Sequence, residues 1–502
     1  MTFDILMKVL LINPPNSVLA KWNLPLHIFQ PLGIAYIAAI LEKAGYEVKI
    51  LDALALGWRN ERVIEGIKYV GLTQEQIAKE IKEYSPDVVG IAFLFTPQAR
   101  EAHETAKTTK RVEPNIFVMA GGAHATTLPE NVLSNPNIDC VVMGEGEYTV
   151  LELIQNLKNN KSWHEIQGIA YREKNDRIVK TPARPAIENL DDLPFPAYHL
   201  LPMEIYFKAA KKVKSARSIS TFGKKWATII TSRGCPFSCI FCTVHLVMKR
   251  GWRARSPENV VAEIENLIKN YGIEHLDIED DNFTLKEERV KKILDSIIEK
   301  KIDIEWSTPN GIRADAVDEE LIEKMKKSGC TRTIVAPESG NQYVVNNIIG
   351  KTLDLEKINQ VVRWCKKYKL LVEAFFVLGF PRETKEQMYD TITYAKKLRK
   401  IGVDDCAFYI ATPFYGTQLY KIAKERGYLD ENFDNEELNT LSGEPMIETE
   451  DFTKEELKEI WGKAKKVNPL ISKGRIKLAW TIFKADPKRA LSYLFLRLSS
   501  RA

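Results

Sequence analysis

Apolar residues come in short unbroken runs that alternate with stretches of helical spacing. Lys8-Val-Leu-Leu-Ile12 is such a run, ended by Asn13-Pro14-Pro15. From Pro31 the apolar positions recur at helical spacing through Leu41, and Gly45 stops them. This predicts a helix over 31–44 with proline in its favoured first position. Glu47–Leu51 reads as a strand and the stretch from about Thr73 to Tyr84 as a helix. Val88–Leu94, Ile116–Ala120 and Cys140–Met143 follow as apolar runs, the pattern of strands covered on both faces. The class is α/β, and residues 1–165 are expected to form a doubly wound, Rossmann-like parallel sheet. Ligands of such sheets sit outside the carboxyl ends of the strands. Three of those ends are loops that allow close approach: Asn13-Pro14-Pro15, Gly121-Gly122-Ala123-His124 and Gly144-Glu145-Gly146-Glu147.

Residues 166–225 read as a connector. It holds a hairpin (Gly168–Arg172 with Arg177–Val179), an irregular segment at Asp191–Pro196, and a Lys/Arg/Ser-rich mobile loop from Lys208 to Lys225. A second series begins at Trp226, with strands at Trp226–Ile230, His275–Ile278, Ile304–Ser307, Thr331–Val335, Val372–Val377 and Asp405–Tyr409. Charged amphipathic helices such as Glu258–Tyr271 and Asp318–Ser328 lie between them. Six strands predict a partial (β/α)6 barrel over 226–428 rather than a full eight-fold one. Residues 429–502 read as a helical C-terminal region.

The charge balance excludes some functions. The 72 Lys+Arg against 67 Asp+Glu leave +5, too little to argue for a nucleic-acid binder. No apolar run reaches about 18 residues, so no conventional transmembrane span is expected. Asp4 precedes the first apolar stretch and Pro14-Pro15 follows it, so the start does not read as a signal peptide. The expectation is a cytoplasmic protein. Its basic charge gathers at 473–502, where Trp480, Phe483, Tyr493 and Phe495 are interleaved with Lys and Arg and Pro487 divides the stretch. Such a tail suits peripheral contact with the anionic inner face of a membrane and a lipid substrate. The alternative is a terminal helix docked on the barrel with a solvated charged face.

Seven cysteines without a signal peptide argue against a disulfide framework. Three lie within eight residues, Cys235-x₃-Cys239-x₂-Cys242, in the loop directly after the first barrel strand. Structural zinc wants four closed ligands, and His245 is the nearest candidate for the fourth. Three thiolates on a 4Fe–4S cluster leave one iron open to bind something else.

The spacing, the place after strand one and the aromatic Phe241 before the last cysteine resemble the radical SAM superfamily. The resemblance implies that Cys235, Cys239 and Cys242 hold a 4Fe–4S cluster whose open iron chelates S-adenosylmethionine (SAM). It further implies SAM contacts from Phe241, from Asp281 after strand two, Arg313 after strand three, Glu338 after strand four and Gly379 in the Gly379-Phe-Pro-Arg-Glu383 turn after strand five. Each acidic residue at a strand end could instead cap a helix.

The amino-terminal sheet is similar to the cobalamin-binding domains fused ahead of such barrels. The likeness rests on Lys8–Pro15 with Pro31-Leu32-Gly33, on Gly121–Thr126 with Pro129-Glu130, and on Gly144–Glu147. It implies corrinoid contacts from Asn13, Gly121, Gly122, His124, Gly144, Glu145 and Gly146. The Asp-x-His-x-x-Gly loop that carries a cobalt-ligating histidine elsewhere is missing after Ile12, and the Ser-x-Leu motif reads Ala92-Phe93-Leu94. His124 is therefore expected to be a hydrogen-bonded loop histidine. The combination implies a cobalamin-dependent radical SAM methyltransferase acting on an unactivated carbon of a lipid or lipid-like metabolite. It would be served by an electron donor such as ferredoxin or flavodoxin. The alternative is radical ring formation or carbon–carbon coupling on a membrane lipid without methyl transfer.

Overall fold

The computed structural model describes residues 7–22, 28–211, 221, 223–430, 433, 443–468 and 483. Five parallel strands form the first sheet: β1 (Lys8–Asn13), β2 (Glu47–Asp52), β3 (Val88–Ala92), β4 (Phe117–Gly121) and β5 (Cys140–Val142). The connector hairpin, β6 (Ile169–Arg172) and β7 (Ile178–Lys180), does not stand apart. It pairs antiparallel to β5 and extends the sheet to seven strands, in the order β7-β6-β5-β4-β3-β1-β2. The parallel strands thus run 2-1-3-4-5, and the order reverses between β1 and β3, where a doubly wound sheet opens its ligand crevice. Strand β3 stops at Ala92, two residues earlier than its apolar run. Phe93 leaves the ladder, donating its N–H to the Gly121 carbonyl and accepting from the His124 N–H.

Local chemistry sets the helix starts. Thr73 accepts the Gln76 N–H while the Gln76 side chain accepts the Thr73 N–H, so the helix Gln74–Tyr84 opens with a capping box. Pro31 is the residue before the helix Leu32–Lys43 rather than its first member. That helix buries eight of its twelve residues, because it lies between the first sheet and the connector. A three-stranded antiparallel sheet of Asn16–Leu19, Glu61–Ile64 and Ile67–Val70 has no counterpart in the sequence reading.

The second sheet has six parallel strands in chain order: β8 (Trp226–Ile229), β9 (His275–Ile278), β10 (Glu305–Ser307), β11 (Cys330–Glu338), β12 (Leu371–Leu378) and β13 (Asp405–Ile410). Along β12 and β13 buried and half-buried positions alternate. Val372, Ala374, Phe376 and Leu378 face the outer helices, where Phe376 meets Tyr394 edge-on. Glu373, Phe375 and Val377 face the barrel interior with Ala407 and Tyr409, and these side chains stay partly open. The interior is therefore partly open along β12 and β13, whereas Asp277 and Ser307 fill it on β9 and β10.

Of the expected loop Lys208–Lys225, Lys208–Ala210 ends the helix Met203–Ala210, while residues 212–220 and 222 lie outside the described residues. Beyond Leu429 a helix spans Lys454–Lys465, but 443–453 is non-helical. The basic tail 473–502, Phe483 apart, lies outside the described residues. No helix among the described residues is long and apolar enough to cross a membrane.

Candidate functional site

The cysteine loop is pinned at its root by carboxylates. Asp280, wholly buried after β9, accepts the Thr231 N–H at 2.6 Å and the hydroxyls of Thr231 and Ser232 at 2.5 and 2.6 Å. Burial pushes its carboxyl up, and these three donors oppose the shift. Asp281 accepts the Gly234 N–H at 2.9 Å. Gly234 has φ +84°, and a Cβ there would overlap the Gly251 carbonyl oxygen, so the turn into Cys235 needs glycine. A two-residue ladder, Ser232-Arg233 with Arg253-Ala254, closes the base of the loop.

Cys235, Cys239 and Cys242 come together in this loop, each partly accessible, whereas the other four cysteines are buried in packing positions. Burial and the neighbouring thiols push Cys242 up to about 12 and Cys239 upward as well, so these thiols keep their protons until a cation arrives. Asn282 points its amide N–H at the Cys235 sulfur, 3.7 Å away, while its buried Oδ1 has no partner. Three soft donors with an amide aimed at one of them suit an iron–sulfur cluster. Among the described residues no three His, Cys, Asp or Glu side chains converge on a point that one ion could occupy.

The loop continues across the barrel mouth. Ile240 donates to the Ile349 carbonyl at 3.0 Å and accepts from the Leu419 N–H at 2.8 Å, and Phe241 packs on Phe380, ring centroids 5.8 Å apart. Gly379, at φ +87°, and Phe380 donate their N–H groups to Glu383 Oε2 at 2.8 and 3.1 Å. Glu383 is fully buried, its Oε1 has no partner, and burial pushes its carboxyl up to about 7.

Two of the expected SAM contacts are already engaged. Arg313 donates to Asp315 at 2.9 Å and to the carbonyls of Lys351 and Thr352 at 2.9 and 3.0 Å, and lies 3.4 Å from the ring centre of Phe237. It therefore props the cysteine loop. Glu338, at φ +63°, accepts from Lys351 at 2.6 Å. A non-glycine residue in the left-handed region at a strand end stores backbone strain beside the site.

The amino-terminal sheet requires further corrections. Glu145 does not face a ligand crevice: its carboxylate accepts from Arg233 at 2.9 Å, from Arg253 at 2.7 Å and from the Ile187 N–H at 3.0 Å. Glu147 takes the other arm of Arg233 at 2.6 Å, and that guanidinium also lies over the Tyr36 ring. The Gly144–Glu147 loop is thus a clasp between the two sheets. Asn13 turns inward and donates to Asp52, which also takes the Tyr206 hydroxyl. Gly122, at φ +120°, lets the backbone cross Phe93, whose carbonyl oxygen would sit 2.6 Å from a Cβ. His124 is buried; its Nε2–H donates to Asn131 and its Nδ1 accepts from the Thr96 hydroxyl. Burial pushes its ring down to about 4, which keeps it neutral. It is hydrogen-bonded as the sequence suggested, but it stands in the short helix Ala123–Thr127 rather than in a loop. Gly121 ends β4, and the Gly144 N–H donates to the Thr126 hydroxyl oxygen. Gly146 packs beside Ile37.

At the reversal between β1 and β3, Leu94 and Phe95 stand 43% and 62% exposed. Exposed large apolar side chains just past the end of β3 lie on the side of the sheet where ligands of such folds bind. Leu94 is the leucine of the Ala92-Phe93-Leu94 triplet noted in the sequence, whereas Phe95 had no signal there. The strand-end loops on this side meet the barrel mouth. The helix Ala123–Thr127 packs against Val244–Met248, the helix that follows Cys242, and Gly416 touches both Thr127 and Leu246. The loops at the carboxyl ends of the two sheets therefore meet through these helices.

A B12-binding domain model matches residues 25–154, and a radical SAM superfamily model matches 229–395. A cytidylyl-2-hydroxyethylphosphonate methyltransferase of Streptomyces wedmorensis is 35% identical over 453 residues, covering 84% of this chain and 83% of its own. An uncharacterized methyltransferase of Pyrococcus horikoshii is 34% identical over 459 residues, 91% of each chain. Among solved structures, the radical SAM methyltransferase TsrM of Kitasatospora setae, with cobalamin and an iron–sulfur cluster bound, has the same fold. Its TM-score is 0.66 at 18% identity, over 84% of this chain and 76% of that one.

Proposed function

The chain belongs to the cobalamin-dependent radical SAM methyltransferases, and from that premise we propose that it methylates an unactivated carbon of a lipid or lipid-like metabolite. The observation that carries the reading is the packing of the helix Ala123–Thr127, at the carboxyl end of the first sheet, on the helix Val244–Met248 that follows Cys242. When bound, the 4Fe–4S cluster supplies an electron, SAM a 5′-deoxyadenosyl radical and methyl groups, and cobalamin the carrier of the methyl to be transferred.

The residues divide that work. Cys235, Cys239 and Cys242 would hold the cluster, and the Asn282 amide donates to the Cys235 sulfur, a contact that raises a cluster's potential. Asp280 and Asp281 fix the loop that carries them. Phe241 and Phe380 give an apolar wall, which Glu383 shapes by holding the Gly379 and Phe380 N–H groups. Leu94 and Phe95 would carry the corrinoid face. Phe375, Val377 and Tyr409 offer the substrate an apolar interior wall. The Arg233–Glu145–Arg253 clasp holds the two sheets together.

The test is anaerobic purification from corrinoid-supplied cells, followed by assay with SAM, reductant and candidate substrates. The nucleotide-linked phosphonate that names the Streptomyces wedmorensis relative is included beside lipids. About four irons and one cobalt per chain, with S-adenosylhomocysteine and 5′-deoxyadenosine released together, are expected. 5′-Deoxyadenosine without S-adenosylhomocysteine would replace methyl transfer by radical coupling. A methylated phosphonate with lipids left unreacted would overturn the lipid assignment.

A further inference from the structure

A cleft of about 580 Å³ opens to solvent between the cysteine loop and the helix Gln418–Glu425. Cys239 and Ser238 line it, and Arg250, Lys421 and Lys424 stand around it with one carboxylate, Glu425. All four charged side chains are exposed. Lys421 lies 3.9 Å from Glu425, which neutralises part of one cation. Among the described residues Arg250 makes no ion pair, and Lys424 rests over the Tyr420 ring.

Two features decide what such a surface fits. A small anion in a built site is gripped by buried donors, and here the cations are long side chains screened by water and salt. Spread around a rim, the same cations sum their attraction toward a partner that presents several carboxylates at once. The second feature is Cys239 itself, which brings a thiol of the cysteine loop to the wall of the cleft, so a docked protein reaches that ligand without crossing the barrel.

We propose that this cleft is the docking face of an acidic, low-potential one-electron carrier protein. The inference rests on the cluster reading above and assigns the route by which the cluster is reduced. In the encounter the carrier's cofactor is oxidised by one electron and the cluster reduced by one. No bond is made or broken and no proton moves at that step.

The test compares the reconstituted wild-type chain with the triple variant R250E/K421E/K424E, whose changes are all on exposed side chains. Binding of an oxidised flavodoxin is followed by its flavin fluorescence, and cluster reduction by flavodoxin hydroquinone in a stopped-flow spectrometer. At low salt the variant is expected to bind flavodoxin about 10- to 100-fold more slowly, and added salt should slow the wild type toward the variant. Reduction by dithionite and the EPR signal of the reduced cluster should be equal in both. Equal flavodoxin association in the two chains would overturn the proposal. So would loss of inorganic phosphate binding in the variant with flavodoxin binding intact, which would make the cleft a small-anion site. A wild type without a dithionite-dependent cluster signal would overturn the cluster reading and this proposal together.

Discussion

Arg233 lies 2.9 Å from the carboxylate of Glu145, and each side chain is only 6% exposed. Arg233 stands one residue before the Gly234 turn that leads into Cys235, whereas Glu145 belongs to the loop after β5 of the other sheet. One ion pair therefore ties the cysteine loop to the domain that faces it. Arg253 and Glu147 complete the group, so charge is balanced where water is largely excluded.

Glu145→Ala leaves two buried guanidinium groups short of a partner. It is expected to cost about 3–5 kcal/mol, with Glu145→Gln costing less. Thermal denaturation reads the loss, and iron content after reconstitution should fall with it. A variant with unchanged Tm would remove the clasp from the account.

The same clasp depends on pH. Burial alone would raise the Glu145 carboxyl, but Arg233 and Arg253 outweigh it and hold the group below its ordinary range. A lowered folded-state pKa gives stability that is present above the ordinary carboxylate range and lost as pH falls through the folded value. Acid titration of the wild type should show this loss, and the Glu145→Gln chain should show a shallower one.

Gly234→Ala should fold and yet fail to load iron. The positive φ and the Gly251 carbonyl leave no room for a methyl group, and the resulting shift falls directly on Cys235. Iron and sulfide analysis of the folded variant is the measurement; a full complement of iron would show that the turn tolerates the methyl.

Glu383 keeps its proton to about pH 7 in the folded chain, against an ordinary value of 4.5. Stability should therefore fall as pH rises between those values, by about 3 kcal/mol in all. Glu383→Gln keeps an acceptor for the Gly379 and Phe380 N–H groups and should flatten that slope. Glu383→Ala strands both donors and should cost about 1–3 kcal/mol at any pH. Urea denaturation across the pH range separates the two variants.

Removal of residues 473–502 should release the protein from anionic vesicles and leave it unchanged on neutral ones. Co-sedimentation measures this. Equal behaviour of the full and shortened chains on anionic vesicles would remove the membrane reading.

Much of this architecture was legible because it is local. The buried runs at Val88 and Ile116, the helix after Thr73 and the three cysteines in one loop each declare themselves within a few residues. What the sequence hid is non-local pairing. Glu145 looks like a crevice residue until Arg233, 88 positions away, takes its carboxylate, and Asn13 until Asp52 takes its amide. The hairpin at Ile169 reads as a connector because nothing in its residues names the β5 edge it extends. Arg313 shows the same limit, since its stacking on Phe237 depends on a loop fixed by Asp280 and Asp281.

The six-stranded sheet leaves β8 and β13 as its two unjoined margins, and across that seam the Leu419 N–H, in the helix after β13, donates to the Ile240 carbonyl in the cysteine loop after β8. A barrel that does not close through its strands is thus laced by the same loop that would hold the iron. Redox damage to the metal centre would then be felt as architecture. Amide hydrogen exchange should quicken along both margins of the seam before the strands at the middle of the sheet respond.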